Sequence, residues 1–452
     1  MTNWQQFKLK DVADIKLSNV DKKTKANERT IRLCNYTDVY KNSFINADRA
    51  IDFMVASCSE NQYQKFILRE GQVAITKDSE KPDDIGIPTY ISEDFNDVVL
   101  GYHLALFTPY EDKLSGKFLN YWFQTKFAKR YFENNAGGSG QRCTLVLDVI
   151  KSTPLYLPSI NIQKQIAKVL SDLDAKIEVN NKINQELEAM AKTLYDYWFV
   201  QFDFPFDFAQ GKPAANGKPY KSSDGKMVYN EQLKREIPEG WKDGTFETIS
   251  TIIGGSTPSK AIIENFTSDR HMSWITPKDL SLNKGNKFIT RGEWDVTEQG
   301  IKRASLKIMP KGTVLLSSRA PIGYLAISRE EVTTNQGFKS FVPKKGYSPE
   351  FIFYCVKNLI PKIEANSSGS TFKEVSASTL RTISISIPEP EILEEYYKIS
   401  KPIFKKQDLI ELENQKLTEL RDWLLPMLMN GQVTVGEAEE ELGMVAEEDI
   451  NT

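Results

Sequence analysis

The chain has 452 residues, 40% hydrophobic and 26% charged, with a formal net charge of −3, too long for one core and sized for roughly two to four domains. Four scattered cysteines (Cys34, Cys58, Cys143, Cys355) without a C-x-x-C pair argue against disulfides and thiolate metal sites, and only two histidines (His103, His271) argue against His-rich metal chemistry and most Ser-His catalysis. No apolar run of about 18 residues and no signal-peptide core occurs, so a cytoplasmic protein is expected.

In chain order, "WQQFKLKDVADI" (Trp4–Ile15) opens with strand-like apolar spacing, and the basic loop "NVDKKTKANER" comes after it. Two strand patterns come next, "EGQVAITK" and "IGIPTYIS", then "GYHLALFTP" and the glycine-rich "NNAGGSGQR". "DVIKSTPLYLP" alternates like a strand and ends at Pro158, which turns the chain into a long helical stretch through Met190. After the segment "QFDFPFDFAQGKPAANGKPYKSSDGKMVYNEQLKREIPEGW", rich in Gly, Pro and aromatics, every one of these features returns.

Trp4, Leu9, Val12 and Ile15 answer to Trp241, Phe246, Ile249 and Ile252; Gly71 answers to Gly312, and Gly86 to Gly323. "ANSSGSTFK" stands where the first half has "NNAGGSGQR", and Pro158, Ile162, Asn184 and Leu187 match Pro388, Ile392, Asn414 and Leu417 at an offset of 230. An internal repeat of this kind governs the architecture. The fold expected is mixed α/β (α+β): two pseudo-symmetric strand-rich domains, residues 1–157 and 241–387, each followed by a long helix, 158–202 and 388–431. A connection spans 203–240, and the acidic 432–452 is expected to be a solvated or disordered tail.

One helical seam collects Ile166, Val169, Leu173, Ile177, Asn180, Asn184, Leu187, Ala191, Leu194 and Trp198. Its counterpart collects Tyr396, Ile399, Ile403, Gln407, Ile410, Asn414, Leu417, Arg421, Leu424 and Leu428. Two packings fit that spacing: each helix lies on its own domain, or the two pair as an antiparallel coiled coil with Asn184 and Asn414 setting the register. Pro402 and Pro426 are expected at a kink or near an end.

Charge is unevenly spread. Residues 241–386 hold 20 Lys and Arg against 13 Asp and Glu, a balance of +7, whereas 387–452 hold 6 against 16, a balance of −10. The basic part suits an acidic polymer.

The stretches "LPSINIQKQIAKVLSDLDAKIEVNNKINQELEAMAKTLYDYWFVQFDFPF", "NGKPYKSSDGKMVYNEQLKREIPEGW", "GGSTPSK", "WITPKDL", "TNQGFK" and "SSGSTFKEVS", in that order, resemble the specificity (S) subunit of type I restriction–modification systems. The resemblance covers essentially the whole chain. It implies two target-recognition domains, each reading half of a bipartite site in double-stranded DNA, with the helices setting the spacer and docking two modification (methyltransferase) subunits. Restriction (translocase/nuclease) subunits would complete the complex in a bacterial or archaeal host. The first copy departs from the family pattern at "AGGSGQR" and "GYHLALFTP".

No G-x-x-x-x-G-K-[ST], no Asn/Asp-Pro-Pro-aromatic tetrapeptide and no F-x-G-x-G strand end is present. No catalytic residue and no metal ligand is therefore assigned, and the chain is expected to be non-catalytic and to hold no cofactor. S-adenosylmethionine, ATP and Mg are expected in the partner subunits. DNA contact calls for Lys and Arg on phosphates and for Arg, Lys, Asn or Gln on base edges. The candidates in the first domain are Lys22, Lys23, Lys25, Arg29, Lys77, Tyr102, His103, Ser139, Gln141 and Arg142. In the second they are Thr257, Ser259, Lys260, Lys278, Arg319, Asn335, Gln336, Lys339, Ser368, Ser370, Thr371 and Lys373. Two other classes fit parts of the pattern: a coiled-coil scaffold with two protein-binding domains, and a self-contained DNA methyltransferase, which the missing motifs disfavour.

Overall fold

The structure, a computed structural model, describes residues 4–138, 142–368 and 373–450. It divides into two units, Met1–Glu178 with Lys416–Thr452, and Val179–Gln415.

In the first unit a five-stranded sheet runs in the order Ala13–Leu17, Leu104–Pro109, Val73–Thr76, Pro88–Ile91, Phe44–Ile45, antiparallel except for the last pair. A second sheet places Arg29–Cys34 between antiparallel Met54–Cys58 and parallel Val98–Leu100. The opening strand Gln5–Lys8 pairs antiparallel with Pro154–Leu157, so the unit closes where its helix begins. Valines, isoleucines and phenylalanines at alternate strand positions, among them Val73, Ile75 and Phe107, are fully buried against Phe118 and Phe132.

The second unit repeats this order strand for strand. Ser250–Gly254, Lys339–Pro343, Val314–Ser318, Ile322–Ser328 and Phe288–Ile289 form its five-stranded sheet, again with a parallel last pair. Met272–Ile275 lies between antiparallel Trp294–Val296 and parallel Val332–Thr334, and Lys242–Thr245 pairs with Ser384–Ile387. One strand is new: Phe266–Thr267 pairs with the outer edge of Trp294–Val296. The repeat read from spaced glycines and prolines is thus a repeat of topology.

The first long helix is Ile160–Tyr195, ending in a π-helical turn at Asp196–Val200, and the second is Pro390–Met429. Both packings anticipated for them occur. In the first unit Ile166, Val169 and Leu173 share a core with Leu417, Leu424 and the sheet residues, and Arg421 donates to Asp174 at 2.9 Å. In the second unit Asn180 donates to Asn414 at 2.9 Å, and Gln407 donates to the Asn184 carbonyl at 3.4 Å and to Glu188. Rising numbers on one helix meet falling numbers on the other, as in an antiparallel pair. The helix continues through Pro402 and Pro426.

Three expectations are corrected. Of the two asparagines expected to set the register, Asn414 bonds across to Asn180 and, at 2.9 Å, Asn181, whereas the Asn184 side chain makes no such bond. Asn184 meets the other helix through its carbonyl, which accepts from Gln407, and its Oδ1 is buried without a hydrogen bond. Ile399 is 39% exposed, because the buried face steps from Tyr396 to Ser400 and Phe404 in turns of four. Ile177, Leu187, Leu194 and Ile403 are half-buried, while Ile410, Leu417 and Leu424 are buried. The acidic tail forms a helix, Val435–Ile450, in place of a disordered end. Thr434 and Glu437 cap it reciprocally, and the fully buried Ala438 fastens it to the core.

The connection folds onto the second unit. Phe202 and Phe204 are buried, with ring centroids 5.3 and 5.7 Å from Trp241, and Asp203 accepts from the Ser222 backbone and hydroxyl.

A buried ionic network ties the same unit to its helices. The Lys287 ammonium, with a side chain only 4% exposed, reaches Glu188 at 2.7 Å, Gln407 at 2.7 Å and the Tyr354 hydroxyl at 3.0 Å. Lys357 takes the other Glu188 oxygen at 2.6 Å. Burial raises the Glu188 pKa, but Lys287 and Lys357 outweigh it and bring it down to about 2. A carboxylate so depressed contributes stability above its unfolded pKa and loses it as pH falls from about 4.5 toward 2. Glu188→Gln should therefore cost about 1–3 kcal/mol at pH 7. Urea unfolding should show the gap to the parent narrowing between about pH 5 and pH 2; an unchanged gap would refute the pairing.

Candidate nucleic-acid interface

Each unit carries one polar corner where three segments converge. In the first, the Lys77 backbone N–H donates to the His103 carbonyl at 3.0 Å, and the Leu145 N–H donates to the Lys77 carbonyl at 2.8 Å. In the second, the Ser318 N–H donates to Gly337 at 2.7 Å and the Val375 N–H to Ser318 at 3.0 Å. The segments are the same in both: the end of a central strand, the turn before its return neighbour, and the stretch following the Gly/Ser loop. A backbone scaffold built this way holds its place while its side chains vary.

In the first corner Asp78 collects three donors. Lys77 Nζ lies at 2.8 Å, Thr144 Oγ1 at 2.6 Å and His103 Nδ1 at 2.5 Å. Burial pushes the Asp78 carboxyl up, yet the bonds from Lys77, Thr144 and His103 outweigh it, so the group lies below its ordinary value. His103 adopts a left-handed φ of 72°, which turns the chain there. The Tyr102 ring sits 3.8 Å from the His103 ring and 5.6 Å from Lys77 Nζ, and it is 48% exposed.

In the second corner Glu374 takes the organising role from a different segment. Arg319 Nη1 and Lys339 Nζ each lie 3.6 Å from its oxygens. Asn335 Oδ1 accepts the Gly337 N–H at 2.8 Å, and Thr257 Oγ1 accepts the Gln336 N–H at 3.5 Å. Ser368 pairs its backbone with Glu374, and Lys373 is exposed beside them.

Of the residues singled out in the sequence, Lys77, Tyr102 and His103 come together, as do Thr257, Arg319, Asn335, Gln336, Lys339, Ser368 and Lys373. Arg142 is exposed one residue before the Cys143–Thr144 strand. Lys22, Lys23 and Lys25 occupy an exposed loop that adjoins the first corner through the Tyr102 N–H bond to Val20, and Arg29 is exposed at the start of the strand Arg29–Cys34. Lys25 there faces Asp21 and Glu28, and Arg29 lies 3.5 Å over the Tyr63 ring, near Glu60. Ser259 and Lys260 are exposed, and Lys278 is held by Glu293 at 2.6 Å. Ser139, Gln141, Ser370 and Thr371 lie outside the described residues. The carboxylates Asp78 and Glu374 and the hydroxyl of Thr144 were missed. Their signal was an acid directly following a chosen lysine, in Lys77-Asp78 and Lys373-Glu374.

An internally duplicated chain with one corner of cations gathered on a carboxylate in each copy is built as a double-headed binding protein. The chain belongs to the family described as type I restriction modification DNA specificity domain, whose model matches residues 1–189 and 238–421. It is 25% identical to the type I restriction enzyme HindI specificity subunit of Haemophilus influenzae, over 96% of this chain and all of that one. With the MjaIX specificity subunit of Methanocaldococcus jannaschii it shares 41% identity over 197 residues, 43% of this chain and 44% of the relative. The crystal structure of a type I restriction–modification S subunit from M. genitalium has the same fold, with a TM-score of 0.58 at 14% identity, covering 94% of this chain and 96% of the other.

Gly255 supplies a check on the second corner. A Cβ there would stand 1.9 Å from the Asn335 carbonyl oxygen, whereas one on Gly254 would meet nothing within 4 Å. Gly255→Ala should lose about 1–3 kcal/mol by overpacking, and Gly254→Ala should stay within about 0.5 kcal/mol. Thermal unfolding of the two variants distinguishes them, and equal behaviour would contradict the close approach.

Proposed function

We propose that the chain is the sequence-specific DNA-recognition subunit of a type I restriction–modification complex, each unit reading one half of a split duplex site. The observation that supports this most is the repeated corner: identical backbone bonds in both units, but Lys77, Asp78, Tyr102 and His103 in one and Arg319, Lys339, Asn335, Gln336 and Glu374 in the other. A fixed scaffold with different donors and acceptors is what two unlike half-sites require. Family membership and the +7 balance of residues 241–386 support the same reading.

In this reading Lys and Arg neutralise phosphates and release counterions, and the corner amides and Tyr102 meet base edges and faces. The long helices dock two methyltransferase subunits and act as the spacer ruler, with restriction subunits added to that core. The chain itself transfers no methyl group and hydrolyses no ATP, chemistry that belongs with S-adenosylmethionine, ATP and Mg in its partners.

Two outcomes are expected. Replacing residues 241–386 by the equivalent domain of a relative should change one half of the methylated site, mapped by sequencing modified adenines, and leave the other half intact. A change in both halves would end the independent-reader account. The double variant Arg319→Ala, Lys339→Ala, assayed in complex with modification subunits, should flatten the slope of log affinity against log salt by about 1–2 units. Affinity should fall about equally for matched and mismatched half-sites, as loss of phosphate contacts requires; an unchanged salt slope would contradict the assignment.

A further inference from the structure

A groove on the first unit has a counterpart on the second that this chain fills for itself. The first groove, of about 560 Å³, is lined by Trp4, Trp122, Phe127, Tyr156 and Met429. The repeat offsets carry Tyr156 to Ser386, Met429 to Phe199, Trp122 to Cys355 and Trp4 to Trp241. Ser386, Phe199 and Cys355 line a cavity on the second unit, which is reduced to about 240 Å³.

The difference lies in the segment that leaves each long helix. After Val200 the chain runs into the connection, and Phe202 and Phe204 come to lie against Trp241, with Tyr220 stacked 4.7 Å from Phe204. Trp241 is thereby only 5% exposed, and Leu233 and Arg235 complete the wall. After Asn430 the chain instead turns at Gly431, with φ 72°, and enters the helix Val435–Ile450. Among the described residues no connection-like segment covers Trp4, and Phe127 and Tyr156 are 50% and 49% exposed.

We propose that the first-unit groove docks a segment of a partner protein bearing a pair of aromatic residues, of the Phe-x-Phe kind that Phe202-Asp203-Phe204 supplies within the second unit. Aromatic anchors entering a preformed aromatic pocket give large contact at low entropic cost. The connection turns at Phe202, which has a left-handed φ of 67°, and from that turn Phe202 and Phe204 both reach Trp241. The second-unit complex supplies the occupant's chemistry. DNA reading by the corners does not enter into it.

The test uses a labelled synthetic peptide of residues 201–220 added to the full chain, with binding followed by fluorescence anisotropy. Saturable binding of one peptide per chain is expected, weakened at least about tenfold by Phe127→Lys with Tyr156→Ser. Both side chains are half exposed, so the fold should survive; circular dichroism verifies this. A peptide with Phe202, Phe204 and Phe206 replaced by Ser should not bind. No saturable binding below about 1 mM, or binding undiminished in the double variant, overturns the proposal.

Discussion

The pairing of the first strand of each unit with its last is the constraint on which the rest hangs. Gln5–Lys8 lies against Pro154–Leu157, and Lys242–Thr245 against Ser384–Ile387. This antiparallel closure brings the end of each domain back to its beginning, and a proline immediately afterwards stops the strand and releases the chain into a helix. Because the closure is the same in both copies, both helices leave their sheets at equivalent points. Loops between the intervening strands can then vary in length without disturbing the exit.

The helices combine an apolar face with a few polar contacts. Ile166, Val169 and Leu173 share their core with Leu417 and Leu424, and Asp174 with Arg421 adds a directional bond. Around Asn180 the partners are Asn414 and Glu413. Apolar contacts tolerate sliding; hydrogen bonds between buried amides do not, so such pairs select register more than they add stability. Glu188 and Lys287 act likewise in the second unit, where one charge left without the other would cost more than the pair contributes.

The corners show how duplication permits divergence. Their backbone bonds satisfy main-chain groups that any sequence would carry, so they impose no choice of side chain. The carboxylates come from different segments, Asp78 beside a central strand and Glu374 beyond the Gly/Ser loop, yet each gathers cations into one place. A carboxylate among these partly buried cations limits their rotamers and offsets their mutual repulsion. The groove near Trp4 shows the opposite outcome of duplication, since one copy acquired a segment that covers Trp241.

The sequence by itself determined the repeat, the strand-rich domains, the two long helices and the family, because prolines, glycines and alternating apolar residues act locally and keep their spacing. It also picked Lys77, Tyr102 and His103, and Arg319, Asn335 and Lys339, as residues of one kind of surface. It could not tell that Asn180, and not Asn184, bonds across to Asn414, since both lie on the seam one turn apart and helical spacing is indifferent to a shift of that size. Nor could it see that Ile399 turns outward or that Ala438 anchors the acidic helix. Asp78 and Thr144, 66 residues apart, meet only because a strand end and a loop exit converge. Contacts of that separation are set by chain closure and side-chain packing, and so the tertiary structure alone decided them.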